Sequence, residues 1–163
     1  MENKILLCAS NLAQIENFKG EFDGVYLIYS GDLTVIQNTE NKELFLDITN
    51  VDLNQTLTAT QSLLGRQVTF VVDDISKAVL VKSFNKTAKI SYRLNTFNKD
   101  LLPFLTVNGF DVSITYTTLA PERVDIFHQA GIKVNGVFVK RYDELGVLKY
   151  YNTDYITILP EIK

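Results

Sequence analysis

The chain has one histidine, one cysteine, one methionine, three prolines and no tryptophan in 163 residues. Each scarcity removes a class of chemistry. A single imidazole, His128, excludes any mechanism that divides acid and base work between two histidines. The Cys/His spacings of structural zinc sites are absent as well. One thiol, Cys8, makes no internal disulfide, so a disulfide-stapled extracellular scaffold is excluded. No basic block occurs: 16 Lys and Arg stand against 19 Asp and Glu, for a net charge of −3. A surface that tracks nucleic-acid phosphates is therefore not expected. Long apolar runs are lacking too. The opening MENKILLCASN is too short for the apolar core of a signal peptide, and no later stretch spans a bilayer. Glycine-rich phosphate loops and serine nucleophile elbows are missing. The expectation is a soluble chain, intracellular or carried inside a larger assembly, with no membrane insertion.

What is present is ordinary globular material, 46% hydrophobic and 21% charged. The length suits one domain over residues 1–163, and no linker, low-complexity tract or internal repeat divides it. Lys4 to Ser10 reads as a buried strand beginning almost at the N-terminus. Leu12, Ile15 and Phe18 give a short helix with Gly20 behind it. Val25 to Ser30 is a second apolar run, broken by Gly31-Asp32. Leu33 to Ile36 either extends it or forms a hairpin, with Asn38 to Asn41 as the turn. Glu43 to Thr49 is a third strand. Asn50 to Asp52 is an N-cap region for a helix through Leu53, Leu57, Leu63 and Leu64, ended by Gly65. Val68 to Val72 is a fourth strand, closed by Asp73-Asp74.

The middle is more ambiguous. Ile75 to Val81 reads as a strand or as a short helix running into one. Asn85 to Leu94 reads as a helix, or as a strand in which Ile90, Tyr92 and Leu94 alternate. Leu101 to Val107, with Pro103 inside, reads as an edge strand or an irregular segment. Asn108-Gly109 is a turn, and Asp111 to Thr117 is a strand.

The C-terminal stretch, Leu119 to Glu161, is the clearest. Ala120-Pro121-Glu122 is a helix entry, since proline suits the first turn and a carboxylate favours the positive end of the helix dipole. Val124, Phe127 and His128 place one stripe against a core. Gly131 is the expected C-cap, and Ile132 to Val139 is β-branched and strand-like. Asp143, Glu144, Leu145, Leu148 and Tyr151 suggest a second short helix. Asn152-Thr153 turns the chain into a last strand, Tyr155 to Leu159, stopped by Pro160. Strand, helix and strand in this order make a right-handed βαβ unit. Eight or so strands with short helices between them predict a mainly parallel α/β fold.

The segment around Val124, His128, Gly131 and Lys133-Val134, followed by a strand ending at Pro160-Glu161, resembles the C-terminal part of the glycerophosphodiester phosphodiesterase family. Ala78 to Asn85 resembles that family's strand ending in Ser-Phe. Leu46-Asp47-Ile48-Thr49 stands where the family often reads Ile-Glu-Ile-Lys. Ile15 to Phe18 and Asp23 to Ile28 are similar to its early Glu-Asn and Asp-Gly segments. The resemblance implies a TIM-like (β/α) barrel, compact and shortened, because such barrels usually need roughly 200 residues or more. An open or incomplete parallel sheet is the alternative. Barrel closure would make Lys4 to Ser10 and Tyr155 to Leu159 neighbours.

The family's reaction, as the resemblance implies it, uses two histidines and a carboxylate-held divalent metal. Here the first strand ends in Cys8-Ala9-Ser10-Asn11 where a His-Arg pair is expected. Gly31-Asp32 stands where a His-Asp pair is expected. The Glu-x-Asp metal pair has no counterpart, and the lysine after the third strand is Thr49. The chain is therefore expected to be a non-enzymatic binding or structural module, with a protein partner or self-association, within a larger assembly such as a virion. No cofactor is expected. The alternative is a metal-dependent phosphoester hydrolase using Asp32 and Asp47.

Candidate ligand-binding residues are Ser10, Asn11, Asp32, Asp47, Lys82, Ser83 and Lys140, all read at strand ends, where α/β folds bind ligands. The plainer reading makes the aspartates turn formers and helix caps, and the lysines solvated surface charge. His128 reads as a half-buried helix residue and Cys8 as a structural thiol. The tyrosines, among them Tyr26, Tyr92 and Tyr155, read as core or sheet-face residues.

Overall fold

A computed structural model describes residues 3–35, 42–114, 121–139 and 153–161. Eight strands run β1 (Lys4–Ala9), β2 (Gly24–Ile28), β3 (Glu43–Asp47), β4 (Val68–Val72), β5 (Lys89–Leu94), β6 (Asp111–Ile114), β7 (Val134–Val139) and β8 (Tyr155–Ile158). They pair in sequence order, all parallel, and close into a barrel. The closing seam joins β1 to β8, with Lys4 opposite Tyr155 and Leu7 opposite Ile158. The compact (β/α) barrel is the observed fold, and the open sheet is not.

Five α-helices lie among the described residues: α1 (Leu12–Glu16), α2 (Leu53–Ser62), α3 (Ile75–Phe84), α4 (Leu102–Asn108) and α5 (Pro121–Gln129). The barrel fits a short chain partly because α1 has five residues and α4 seven. Side chains alternate across each strand. One set, including Leu7, Leu27, Leu46, Phe70, Ile90 and Ile156, packs outward in a continuous core with helix residues Ala59, Ala78, Val81, Leu105, Val124 and Phe127. The other set faces the barrel interior, where Leu6, Cys8, Tyr26, Phe45 and Val71 form a separate apolar cluster. Gly24 belongs to that inner face by necessity. A Cβ there would lie 2.6 Å from the Glu43 carbonyl oxygen and 2.8 Å from Leu6 Cδ2.

Helix ends follow local chemistry. Asp52 caps α2 in a reciprocal box with Gln55. Asp74 caps α3 by accepting from the Ser76 N–H. Gly131 closes α5 at φ +77°, a left-handed conformation that glycine adopts without strain.

Three readings need correction. Ala78 to Asn85 is not a strand ending in Ser-Phe; it lies in α3 and its C-cap. The Asp74 cap starts the helix, and Ala78 and Val81 then meet the sheet at helical spacing. The strand of this region is β5, beginning at Lys89, and Asn85 to Leu94 is not a helix. Leu101 to Val107 is neither an edge strand nor irregular: a 3-10 turn (Lys99–Leu101) leads into α4. Pro103 sits in the first turn of α4, where its missing N–H costs nothing. The region read as Leu33 to Ile36 holds a 3-10 turn at Thr34-Val35. The turn at Asn38 to Asn41 and the helix from Asp143 to Tyr151 fall outside the described residues. No helix among the described residues is long and apolar enough to cross a membrane.

Candidate functional site

The C-terminal ends of the strands form the rim where a parallel barrel binds ligands. Asp47 ends β3 on that rim, facing inward and only 1% exposed. Its carboxylate is held by its own surroundings. Oδ1 accepts from the Thr49 N–H at 2.9 Å and the Thr49 hydroxyl at 2.6 Å. Oδ2 accepts from the Tyr26 hydroxyl at 2.7 Å and from Arg93 Nη1 at 3.4 Å. A carboxylate offers about four lone-pair positions, so these four donors fill it. The loop behind it is pinned from α3, where Lys77 Nζ donates to the Ile48 carbonyl at 2.9 Å and the Thr49 carbonyl at 3.1 Å.

Cys8 lies in the same interior cluster. Burial pushes its thiol up to about 12, Asp47 and Glu161 add to this, and Arg93 opposes it. Tyr26 is raised well above the usual phenol value, first by burial and then by the Asp47 charge and hydrogen bond. Both groups therefore stay protonated at neutral pH. They are poor candidates for a nucleophile or a base.

The other sequence candidates separate. Ser10 and Asn11 follow β1 on the same rim, but both are taken up by α1. Ser10 donates from its N–H and hydroxyl to Gln14 Oε1, and Asn11 accepts from the Gln14 N–H. Asp32 is exposed, and its Oδ1 accepts from the Thr34 hydroxyl and N–H, which holds its carboxyl below the usual range. Lys82 and Ser83 are not at a strand end, because α3 carries them toward the opposite end of the barrel. Lys82 Nζ donates there to the Lys86 and Ala88 carbonyls, just before β5, and Ser83 donates to the Val79 carbonyl. Lys140 lies outside the described residues.

His128 is half-buried in α5. Its Nε2 pairs at 2.9 Å with Asp154 Oδ2, which also accepts from the Val134 N–H at 2.8 Å. Asp154 precedes β8, so this pair belongs to the N-terminal end, away from the rim. The described residues contain no group of three His, Cys, Asp or Glu side chains able to hold a metal ion. Asp47 has its oxygens filled and Asp32 is committed to its own turn. The donor set does not fit a divalent cation, which is held by carboxylate or carbonyl oxygens free to turn toward it, with water completing the shell.

Two features escaped the sequence reading. Arg93 and Tyr26 complete the Asp47 cluster, and a polar ladder crosses the far side of the interior. Thr157 donates to Asn135 Oδ1 at 2.9 Å, Asn135 Nδ2 donates to Ser113 Oγ at 3.2 Å, and Ser113 and Ser91 hydroxyls share a 2.6 Å bond. All four are buried. The signal was the alternation of Ile90, Tyr92 and Leu94: if those face outward, Ser91 and Arg93 face inward.

Solved structures share this architecture. A protein from Silicibacter pomeroyi assigned as a glycerophosphoryl diester phosphodiesterase superposes with a TM-score of 0.60 at 14% identity, over 72% of this chain and 47% of its own. One from Galdieria sulphuraria assigned as a glycerophosphodiester phosphodiesterase gives 0.61 at 16% identity, over 77% and 57%. These likenesses show the fold, a closed parallel barrel shared with those two structures. This chain spans about half the length of those two structures. A glycerol uptake operon antiterminator-related protein from Thermotoga maritima matches over 96% of this chain and 95% of its own, with a TM-score of 0.66 at 17% identity. No protein-family model matches the chain, and no curated protein sequence does.

Proposed function

We propose that this chain is a non-enzymatic binding or structural module built on a phosphodiesterase-type barrel and working within an oligomer or a larger assembly such as a virion. One observation carries the reading. Asp47, which a metal-dependent hydrolase built on Asp32 and Asp47 would need as a ligand, has its oxygens filled by Tyr26, Thr49 and Arg93. In a catalytic site that carboxylate would face outward to a cation. Here it ties β2, β3 and β5 together.

The single histidine supports the same reading, because His128 is engaged with Asp154 at the N-terminal end of the barrel. General acid–base groups contribute on the order of 10²–10⁴-fold to such a reaction, and a metal multiplies that. Neither contribution has a donor set on the described rim. A barrel of this size with a non-catalytic role is consistent with the general independence of fold and function.

The test is a coupled assay for glycerol 3-phosphate release from glycerophosphodiesters, with Mg²⁺ and with Ca²⁺, beside an Asp47→Ala control. The expected result is background turnover in every arm. Turnover that the substitution abolishes would replace this reading with a hydrolase built on Asp47.

A further inference from the structure

The sequence contains two Asn-Gly pairs, Asn108-Gly109 and Asn135-Gly136. Such a pair is able to modify itself. The glycine nitrogen attacks the side-chain carbonyl carbon of the asparagine, ammonia leaves, and water then opens the cyclic imide to aspartate or isoaspartate. Glycine favours the step because it carries no side chain to obstruct the ring and leaves the backbone free to reach it. Two conditions must be met: the asparagine side chain is released, and the following N–H gives up its hydrogen bond.

The two pairs meet these conditions at very different cost. Asn135 is buried inside the barrel, only 4% exposed. Its Oδ1 accepts from Thr157 and its Nδ2 donates to Ser113. Gly136 lies in β7 between Ile114 of β6 and Ile156 of β8. Freeing either residue means opening the barrel itself. Asn108 instead ends α4, and Gly109 closes that helix at φ +68°. Residues 106–109 are all exposed, Val107 at 85%. Local bonds hold this end: Gly109 N–H to the Thr106 carbonyl at 3.2 Å, Phe110 N–H to the Leu105 carbonyl at 2.9 Å, and Asn108 Nδ2 to the Phe104 carbonyl at 2.7 Å. Unwinding these four residues uncovers no buried side chain, and helix ends of this kind open far below the cost of global unfolding.

We propose that Asn108 is a self-modification site, converting to aspartate and isoaspartate in the folded protein through local opening of the α4 end, while the barrel shields Asn135. The conversion acts on the structure that holds it. It replaces the donor to the Phe104 carbonyl with a carboxylate. It also places a negative charge at the C-terminal end of a helix, where the dipole is already negative. The isoaspartate form further lengthens the main chain just before β6. The product therefore loosens the α4 end and cannot rewind it as before.

Incubation of the full chain in warm, mildly alkaline buffer, with peptide mass spectrometry at intervals, tests this. Position 108 should convert at least about tenfold faster than position 135, reflecting the gap between local and global opening. A series in urea below the unfolding transition separates the two routes. The rate at Asn108 should stay flat, because its opening exposes little surface, whereas the rate at Asn135 should climb with urea. Asn108→Asp, which imitates one product, should melt below the wild type. Three results overturn the proposal. One is an Asn108 that stays intact while an unfolded peptide spanning Val107 to Phe110 converts. Another is conversion of Asn108 that accelerates with urea in step with Asn135, which would place the reaction in the unfolded chain. The third, an Asn108→Asp chain that melts with the wild type, overturns the consequence drawn for the helix end.

Discussion

The two halves of the barrel interior are filled by different means. Across β1 to β4 the inward residues Leu6, Cys8, Tyr26, Phe45 and Val71 fill space, with Phe45 and Tyr155 in an edge contact at 4.8 Å. Across β5 to β8 the inward residues Ser91, Ser113, Asn135 and Thr157 are linked through hydrogen bonds. Dispersion and area burial decide the first half, and volume is what matters there. In the second half each donor needs its acceptor, because an orphaned buried group costs about 1–3 kcal/mol. Asp47 sits where the halves meet, bonded to Tyr26 of β2 and Arg93 of β5.

This contrast sets the largest expected effect. Asn135→Leu keeps the approximate volume but leaves Thr157 without its acceptor and removes one partner of Ser113. It should cost about 2–4 kcal/mol, read as a lowered midpoint in urea. The matched change in the other half, Phe45→Leu, should cost less, under about 1.5 kcal/mol, if the cluster repacks around it. Equal costs would mean that the halves are not held differently. Tyr26→Phe comes next. It removes the donor to Asp47 Oδ2 while keeping the ring, and should cost about 1.5–3 kcal/mol, as a bond to a charged acceptor does. An unchanged midpoint would show that Arg93 and Thr49 alone suffice.

Much of this architecture was legible because it rests on local signals. Pro121, Gly131, Asp52 and Asp74 mark helix ends by stereochemistry, and the β-branched runs of β4 and β7 read directly as strands. The ordering of strand, helix and strand, with the family resemblance, pointed to a barrel, and the β1–β8 seam closes it. What was not legible depends on the other strands. A serine or an arginine in a strand looks the same whether it faces water or the barrel interior. Strand pairing puts Ser91 of β5 beside Ser113 of β6, and the curvature of the barrel brings Arg93 of β5 to Asp47 of β3, across 22 and 46 positions of sequence. The Ala78 to Asn85 segment misled for the opposite reason. Its apolar run suits a strand or a helix equally, and the Asp74 cap decides.

A smaller effect separates Cys8 from a reactive thiol. Its ionisation is pushed from the ordinary 9.0 to about 12 in the folded chain, mainly by burial. The unfolded chain therefore loses this proton first. The contribution is fully present below pH 9 and is lost as pH rises from 9 toward 12. Cys8→Ala should flatten the decline in stability over that window, measured by denaturant midpoints at several pH values. Native wild-type protein should resist alkylation at pH 8. Rapid labelling there would show an accessible thiolate instead.

The central claim is that Asp47 is a structural tie and not a metal ligand. Thermal unfolding of the wild type and of Asp47→Ala, each with and without Mg²⁺ or Ca²⁺, tests it most directly. A bound cation stabilises by mass action, whereas an internal tie is indifferent to added cation. The account predicts that Asp47→Ala melts lower than the wild type in every condition and that neither cation shifts the wild-type midpoint. A rise in the wild-type midpoint with Mg²⁺ or Ca²⁺ that disappears in Asp47→Ala would contradict it.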